Sequence, residues 1–274
     1  MRNLAEIIAF YRQAILPPGA KLVSLPLAFL SIAIVALFEF PAHFITQAGY
    51  VDLGILTNEI IAVAGVPLIL ILWLKLSREK LLPFISLRVS IVALLVVFMF
   101  GADIIIDYLT AASEIVLPLP QDIKDMFEKV MAAPSADVVM CKFFVLCVVP
   151  AVCEEIFFRG FFQTSLTARL GVGKAVLITS VVFAIMHGNF YYVHLYIMLG
   201  LIFGWVYAVT GSLWAPIICH VFNNSWTFFN HVRGFKLPLP DVPVYVNALI
   251  VSGGALLLIA TLLAIRSLSR NKIQ

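Results

Sequence analysis

The chain has 274 residues, 62% hydrophobic and 12% charged, with mean hydropathy +1.06 and a formal net charge of +3. A soluble domain carries about 25% charged residues. Half that share cannot cover an aqueous surface of this size, so lipid is the remaining solvent, and the lack of any basic block or Arg-rich arm argues against nucleic acid as a partner.

Along the chain, residues 1–16 place Leu4, Ile7, Ile8, Tyr11 and Ile15 at helical spacing before Pro17-Pro18, which predicts an amphipathic helix lying on the membrane. Glu6 and Arg12 interrupt the apolar stretch that a cleavable signal would need. A bilayer core about 30 Å thick takes about 20 helical residues. By that rule the candidate spans are 22–40, 55–76, 88–112, 137–165, 173–188, 191–209, 212–231 and 243–265. Residues 121–132 form a second amphipathic candidate, with Ile123, Met126, Phe127, Val130 and Met131 bounded by Pro118, Pro120 and Pro134. The expected fold is all-α: one polytopic transmembrane bundle over 1–274, of about eight spans plus one or two amphipathic surface helices. No linker or internal repeat divides it.

Eight spans put both termini on one side. Twelve of the eighteen Lys and Arg residues fall on that side, four on the other, and Lys142 and Arg159 within a span. The positive-inside rule then predicts cytoplasmic termini for a multi-pass protein of the cell membrane. The cysteines Cys141, Cys147, Cys153 and Cys219 form no C-x-x-C pair and read as small apolar core residues.

A charge at the centre of a membrane helix costs about 2.5–3.5 kcal/mol on insertion scales. The segment from Ala151 to Arg159 nevertheless carries Glu154, Glu155 and Arg159. Glu155 and Arg159 stand at i and i+4 and can pair. Glu154 points about 100° away and faces something else. At 1.5 Å per residue, Glu154, His187, His220 and Asn224 lie ~16, ~21, ~12 and ~18 Å from one membrane face, a shared middle layer. His220 and Asn224 are themselves i, i+4.

A carboxylate beside an imidazole can deprotonate water, and a second imidazole with a carboxamide can donate to a developing oxyanion. Such a set suits amide hydrolysis without a Ser or Cys nucleophile. Glu154, His187 and His220 could alternatively hold Zn2+ with water as the fourth ligand. Asn224 is a poor zinc ligand, so no cofactor is the favoured reading.

Glu154-Glu155-x-x-x-Arg159, Phe183-x-x-x-His187 and His220-x-x-x-Asn224, in that order on three membrane helices, resemble the motifs of the CAAX-protease and bacteriocin-processing (CPBP, or Abi) family, the type II CAAX prenyl endopeptidase-like proteins. The resemblance covers about residues 137–231, the expected catalytic core. It implies an intramembrane endopeptidase of the glutamate type, a class formerly called metalloproteases. It assigns water activation to Glu154 with His187, the oxyanion hole to His220 and Asn224, and support of the site to Glu155 and Arg159. It also implies membrane-associated peptides or proteins as substrates, and a bacterial inner membrane as the setting. A prenylated substrate does not follow from it.

Other polar residues receive structural expectations. Asp103 and Asp107 share a face of the third span and line a water path or pair with Lys142. Glu39 and Glu59 cap span ends. His194 and His231 are interfacial. Gly200 and Gly204 permit close helix packing, and Gly211 serves a tight turn. Two competing functions stand beside the protease: a proton-coupled carrier using Glu154 and Asp103, and a non-catalytic membrane scaffold or immunity protein.

Overall fold

The computed structural model describes residues 21–234 and 244–270; the expected helix at 1–16 lies outside them. Among the described residues there is no strand, and eight long helices occur at the eight expected places. They are α1 Leu25–Gln47, α2 Val51–Trp73, α3 Val89–Val116, α4 Ala136–Leu170, α5 Val172–Met186, α6 Val193–Thr210, α7 Trp214–Val232 and α8 Val244–Arg270. Six long apolar stretches, in α1–α4, α6 and α8, meet the length and hydropathy expected of a membrane crossing. α5 is apolar but has only 15 residues, and α7 carries too many His, Asn and Ser side chains to qualify. This is a multi-pass membrane protein.

Side-chain contacts give the relative directions of α3, α4, α6, α7 and α8. Asp103 meets Asn223 and Asp107 meets Trp226, so α3 and α7 run parallel. Arg159 meets Gly200 and Gln163 meets Gly204, so α4 and α6 run parallel. His220 meets Glu155 while Asn224 meets Leu146, so α7 runs against α4. Tyr108 meets Asn247 while Gly101 meets Gly254, so α8 runs against α3. α3 and α7 thus point one way, and α4, α6 and α8 the other.

The apolar surface fits lipid. Leu37, Phe40, Leu72, Trp73, Leu249 and Leu256 point outward from α1, α2 and α8, each more than two-thirds exposed. The core instead gathers around α4, where every residue from Ile156 to Thr167 is buried. α4 is not uniform. Its turns at Phe143–Val148 and Ile156–Gln163 widen to π-helix, flanking the α-helical stretch Val149–Glu155. α2 widens likewise at Asn58–Ala64. Such bulges occur often at functional sites.

The turns explain the tight α4–α7 order. Gly171 (φ 82°) and Gly211 (φ 65°) take left-handed conformations that a side chain would strain. The Gly211 amide donates to the Tyr207 carbonyl at 2.8 Å and closes α6. Beneath it, the chain between α2 and α3 tucks inward: the Leu213 amide donates to the Pro83 carbonyl, and the Ser212 hydroxyl to that of Ile85. Gly160 lets the Leu81 carbonyl approach α4, where a Cβ would come within 2.5 Å of it. The helix Gln121–Met131 has no buried residue, as expected of a surface element.

Several expectations need correction. α1 runs to Gln47, so Glu39 lies inside it rather than at its end. Glu59 also lies inside a helix, nine-tenths buried in the widened turn of α2. Cys147, Cys153 and Cys219 are buried, but Cys141 is exposed.

Candidate active site

The site is assembled on α4 from the inside out. The Arg159 guanidinium donates to Glu155 Oε1 at 3.0 Å, with both side chains fully buried. Three rings enclose that guanidinium: Phe183, Phe203 and Phe158 have centroids 4.9, 5.4 and 5.8 Å from its central carbon. Their faces attract the cation where water cannot. The i, i+4 pair read from the sequence is therefore present, though Arg159 sits in a π turn.

The same Glu155 oxygen holds a third residue. His220 Nδ1 lies 2.9 Å from it, and the His220 ring stacks on Phe203 at 4.7 Å. A carboxylate only accepts, so Nδ1 carries the hydrogen. Glu155 is thus a hub between Arg159 and His220, where the sequence suggested a two-residue brace. One turn further along α7, Asn224 Nδ2 points at the Leu146 carbonyl of α4 at 3.4 Å.

Glu154 faces the other way, as helix geometry requires. Its Oε2 lies 3.9 Å from His187 Nε2 and has no hydrogen-bond partner among the described residues, although it is buried. His187 stands just past the end of α5. Its Nδ1 lies 2.8 Å from the Phe183 carbonyl, which accepts its hydrogen, so a neutral ring turns the lone pair of Nε2 toward Glu154. Tyr196 and Phe183 hold that ring with centroids at 4.1 and 4.4 Å. Glu154, Glu155, Arg159, His187 and His220 thus come together around Phe183, and Asn224 joins them along α7.

Sequence reasoning missed four participants. Gln163 Nε2 donates to the Gly204 carbonyl at 3.0 Å, one turn below Arg159 on Gly200. Gly200 and Gly204 leave room for this: a Cβ on either would come within 2.8 Å of Ser180 or Gln163. Gln163 is a polar residue four positions after Arg159 in an apolar span, a signal that was available. Asn223, beside Asn224, takes Asp103 as its partner at 2.7 Å. Tyr196 supports His187. Glu59 lies close enough to Glu154 for their charges to repel, and its Oε2 has no partner among the described residues.

Lys142 does not pair with Asp103 or Asp107. It reaches Asp52 at 3.1 Å and the Val130 carbonyl, because it starts α4 beside the start of α2. Asp107 instead accepts from the Trp226 indole at 2.8 Å. His194 meets Ser113, and His231 meets Glu128. Among the described residues, no group of three or more His, Cys, Asp and Glu side chains is arranged to hold a metal ion. Glu154 with His187 and Glu155 with His220 form two separate pairs.

Residues 136–226, which carry Glu154, Glu155, Arg159, His187, His220 and Asn224, match the type II CAAX prenyl endopeptidase Rce1-like family. The chain is also similar to a protein of Bacillus subtilis (strain 168) described as "Putative membrane peptidase YdiL", with 34% identity over 82 residues. That match covers 30% of this chain and 34% of the relative, so the chain spans about a third of the length of the curated relative it matches. No solved structure matches.

Proposed function

We propose that this protein is an intramembrane endopeptidase that hydrolyses peptide bonds of membrane-associated peptides or proteins. The observation that carries the reading is the facing of Glu154 Oε2 and His187 Nε2 at 3.9 Å, one residue along α4 from the Glu155–His220 contact. Two acceptors at that separation are bridged by a molecule that donates to both. A water molecule does so with its two O–H bonds, which leaves a lone pair free for a substrate carbonyl.

Glu154 then takes a proton from the water as its oxygen bonds to the carbonyl carbon. The tetrahedral oxyanion takes hydrogen bonds from His220 and Asn224. His220 uses its Nδ1 hydrogen on Glu155, so donation through Nε2 requires the doubly protonated ring. Asn224 offers the second hydrogen of its Nδ2. When the C–N bond breaks, Glu154 returns its proton to the leaving amine, and the products are a carboxylic acid and an amine.

No cofactor enters this reading. The charge distribution of the loops supports cytoplasmic termini, and the apolar exterior supports the cell membrane as the setting. Purified protein tests the mechanism on a panel of membrane-anchored peptides, with wild type compared with Glu154→Gln and His220→Ala. Cleavage is expected from wild type and not from either variant. Undiminished cleavage by Glu154→Gln would refute it. Proton flux in vesicles that depends on Glu154, without cleavage, would favour a carrier. Full loss of activity in a chelator, restored by Zn2+, would overturn the metal-free route.

A further inference from the structure

The oxyanion pair proposed above sits on α7, the most polar of the eight helices, which packs between α4 and α3. On the α4 side His220 meets Glu155 at 2.9 Å and Phe229 stacks on Phe143, but the Asn224 contact is long at 3.4 Å. A second side of α7, roughly 110° around the helix, carries two more bonds. Asp103 Oδ1 accepts from Asn223 Nδ2 at 2.7 Å, and Asp107 Oδ2 accepts from Trp226 Nε1 at 2.8 Å. Asp103 is fully buried and its other oxygen has no partner among the described residues. The two rungs stand about one turn apart on each helix, four residues on α3 and three on α7. Parallel helices with two such rungs can neither slide nor turn relative to each other without breaking one.

Resting on the proposed protease reading, we infer that Asp103 and Asp107 are positioning residues that fix the rotation and depth of α7, and so aim His220 and Asn224 at the reacting carbonyl. A buried acid of this kind is costly to keep in a membrane helix, and a purely packing role would be served by an apolar residue. Asn223 and Asn224 are adjacent, so a rotation of α7 that frees Asn223 carries Asn224 away from α4. A misplacement of about 1 Å at a reacting centre can cost about 100-fold in rate.

The experiment uses the full chain in detergent with a cleaved membrane-anchored peptide, and reads kcat, KM and Tm. Asp103→Leu removes the acceptor; kcat is expected to fall about 10- to 100-fold with KM within about 3-fold. Asp103→Asn keeps an accepting oxygen and should stay within about 3-fold of wild type. Asn223→Asp sets two carboxyl groups against each other and should lose kcat. Adding Asp103→Asn to it restores a donor–acceptor pair and should bring kcat back. Gly254→Val on α8 serves as a control that lowers Tm without changing kcat.

A second readout does not need activity. With the other three of the four tryptophans changed to Phe, Trp226 emission should shift in Asp103→Leu and return in the Asp103→Asn/Asn223→Asp pair. Wild-type kcat in Asp103→Leu, or failure of the swap to rescue Asn223→Asp, would overturn the inference. So would a kcat loss in Gly254→Val as large as that in Asp103→Leu. If wild type cleaves no peptide and Glu154→Gln changes nothing, the protease reading falls, and the Trp226 shift alone decides whether the aspartates hold α7.

Discussion

The two seams of α3 solve one problem with opposite chemistry. Against α8, Gly101 and Gly254 bring the backbones so close that a Cβ on either would lie 2.9 or 3.1 Å from the other's carbonyl. Against α7, Asp103 and Asp107 make buried hydrogen bonds. Lipid is as apolar as the helices, so association needs small residues or polar bonds rather than burial of oily surface. The glycine seam is held mainly by close contact, with one polar bond, Tyr108 to Asn247, about two turns away. The polar seam also fixes rotation, and it leaves buried atoms such as Asp103 Oδ2 without partners among the described residues. A helix that only supports the bundle can be held by shape, whereas a helix that aims side chains is held by directional bonds.

Four substitutions test that contrast, beginning with the largest effect. Arg159→Leu removes the guanidinium paired with the fully buried Glu155, on which His220 also rests. Breaking a buried pair from one side costs about 3–5 kcal/mol, so Tm should drop steeply and cleavage should vanish together. Glu154→Gln changes chemistry alone: kcat should fall about 10²- to 10⁴-fold, the usual contribution of a general base, with Tm unchanged or raised. A Tm loss matching that of Arg159→Leu would erase the distinction between the two adjacent glutamates. Gly254→Val overpacks the glycine seam and should cost about 1–3 kcal/mol of stability while leaving the kcat of the folded fraction intact. Asp52→Asn weakens the half-exposed pair with Lys142, and its cost should stay below about 1 kcal/mol. Urea or thermal unfolding in detergent measures the stability terms, and peptide cleavage measures the rest.

The bundle was largely legible in the sequence, because apolar length marks a span whatever it packs against. α7 was found despite its polarity, since its flanking turns and the His220/Asn224 spacing marked it. The Glu154/Glu155 division was legible as well, because consecutive helical residues face about 100° apart. Contacts between helices were harder. Charge alone offers Asp103 or Asp107 to Lys142, but register sends it to Asp52. Glu59 was assigned to a span end because the predicted second span began at 55; α2 begins at Val51, and that shift of four residues puts Glu59 in the interior beside α4. His220 was grouped with Asn224 by spacing, and only the packing of α7 on α4 brings it to Glu155. Gln163 was overlooked because its partner is a backbone carbonyl, which no side-chain motif encodes.

The widened turns of α4 have a consequence for how such chains vary. A turn closed i to i+5 holds one residue more than a turn closed i to i+4. Phe143–Val148 and Ile156–Gln163 therefore act as slack on either side of the rigid stretch Val149–Glu155. Deleting one residue from the first would tighten that turn to an ordinary α-helix, with Lys142 still beside Asp52 and Glu155 still facing His220. The number of letters between those anchors is thus free to change while their heights in the bilayer stay the same. Relatives that build the same constellation can differ by an insertion inside a continuous helix, a place where gaps are normally forbidden when sequences are compared.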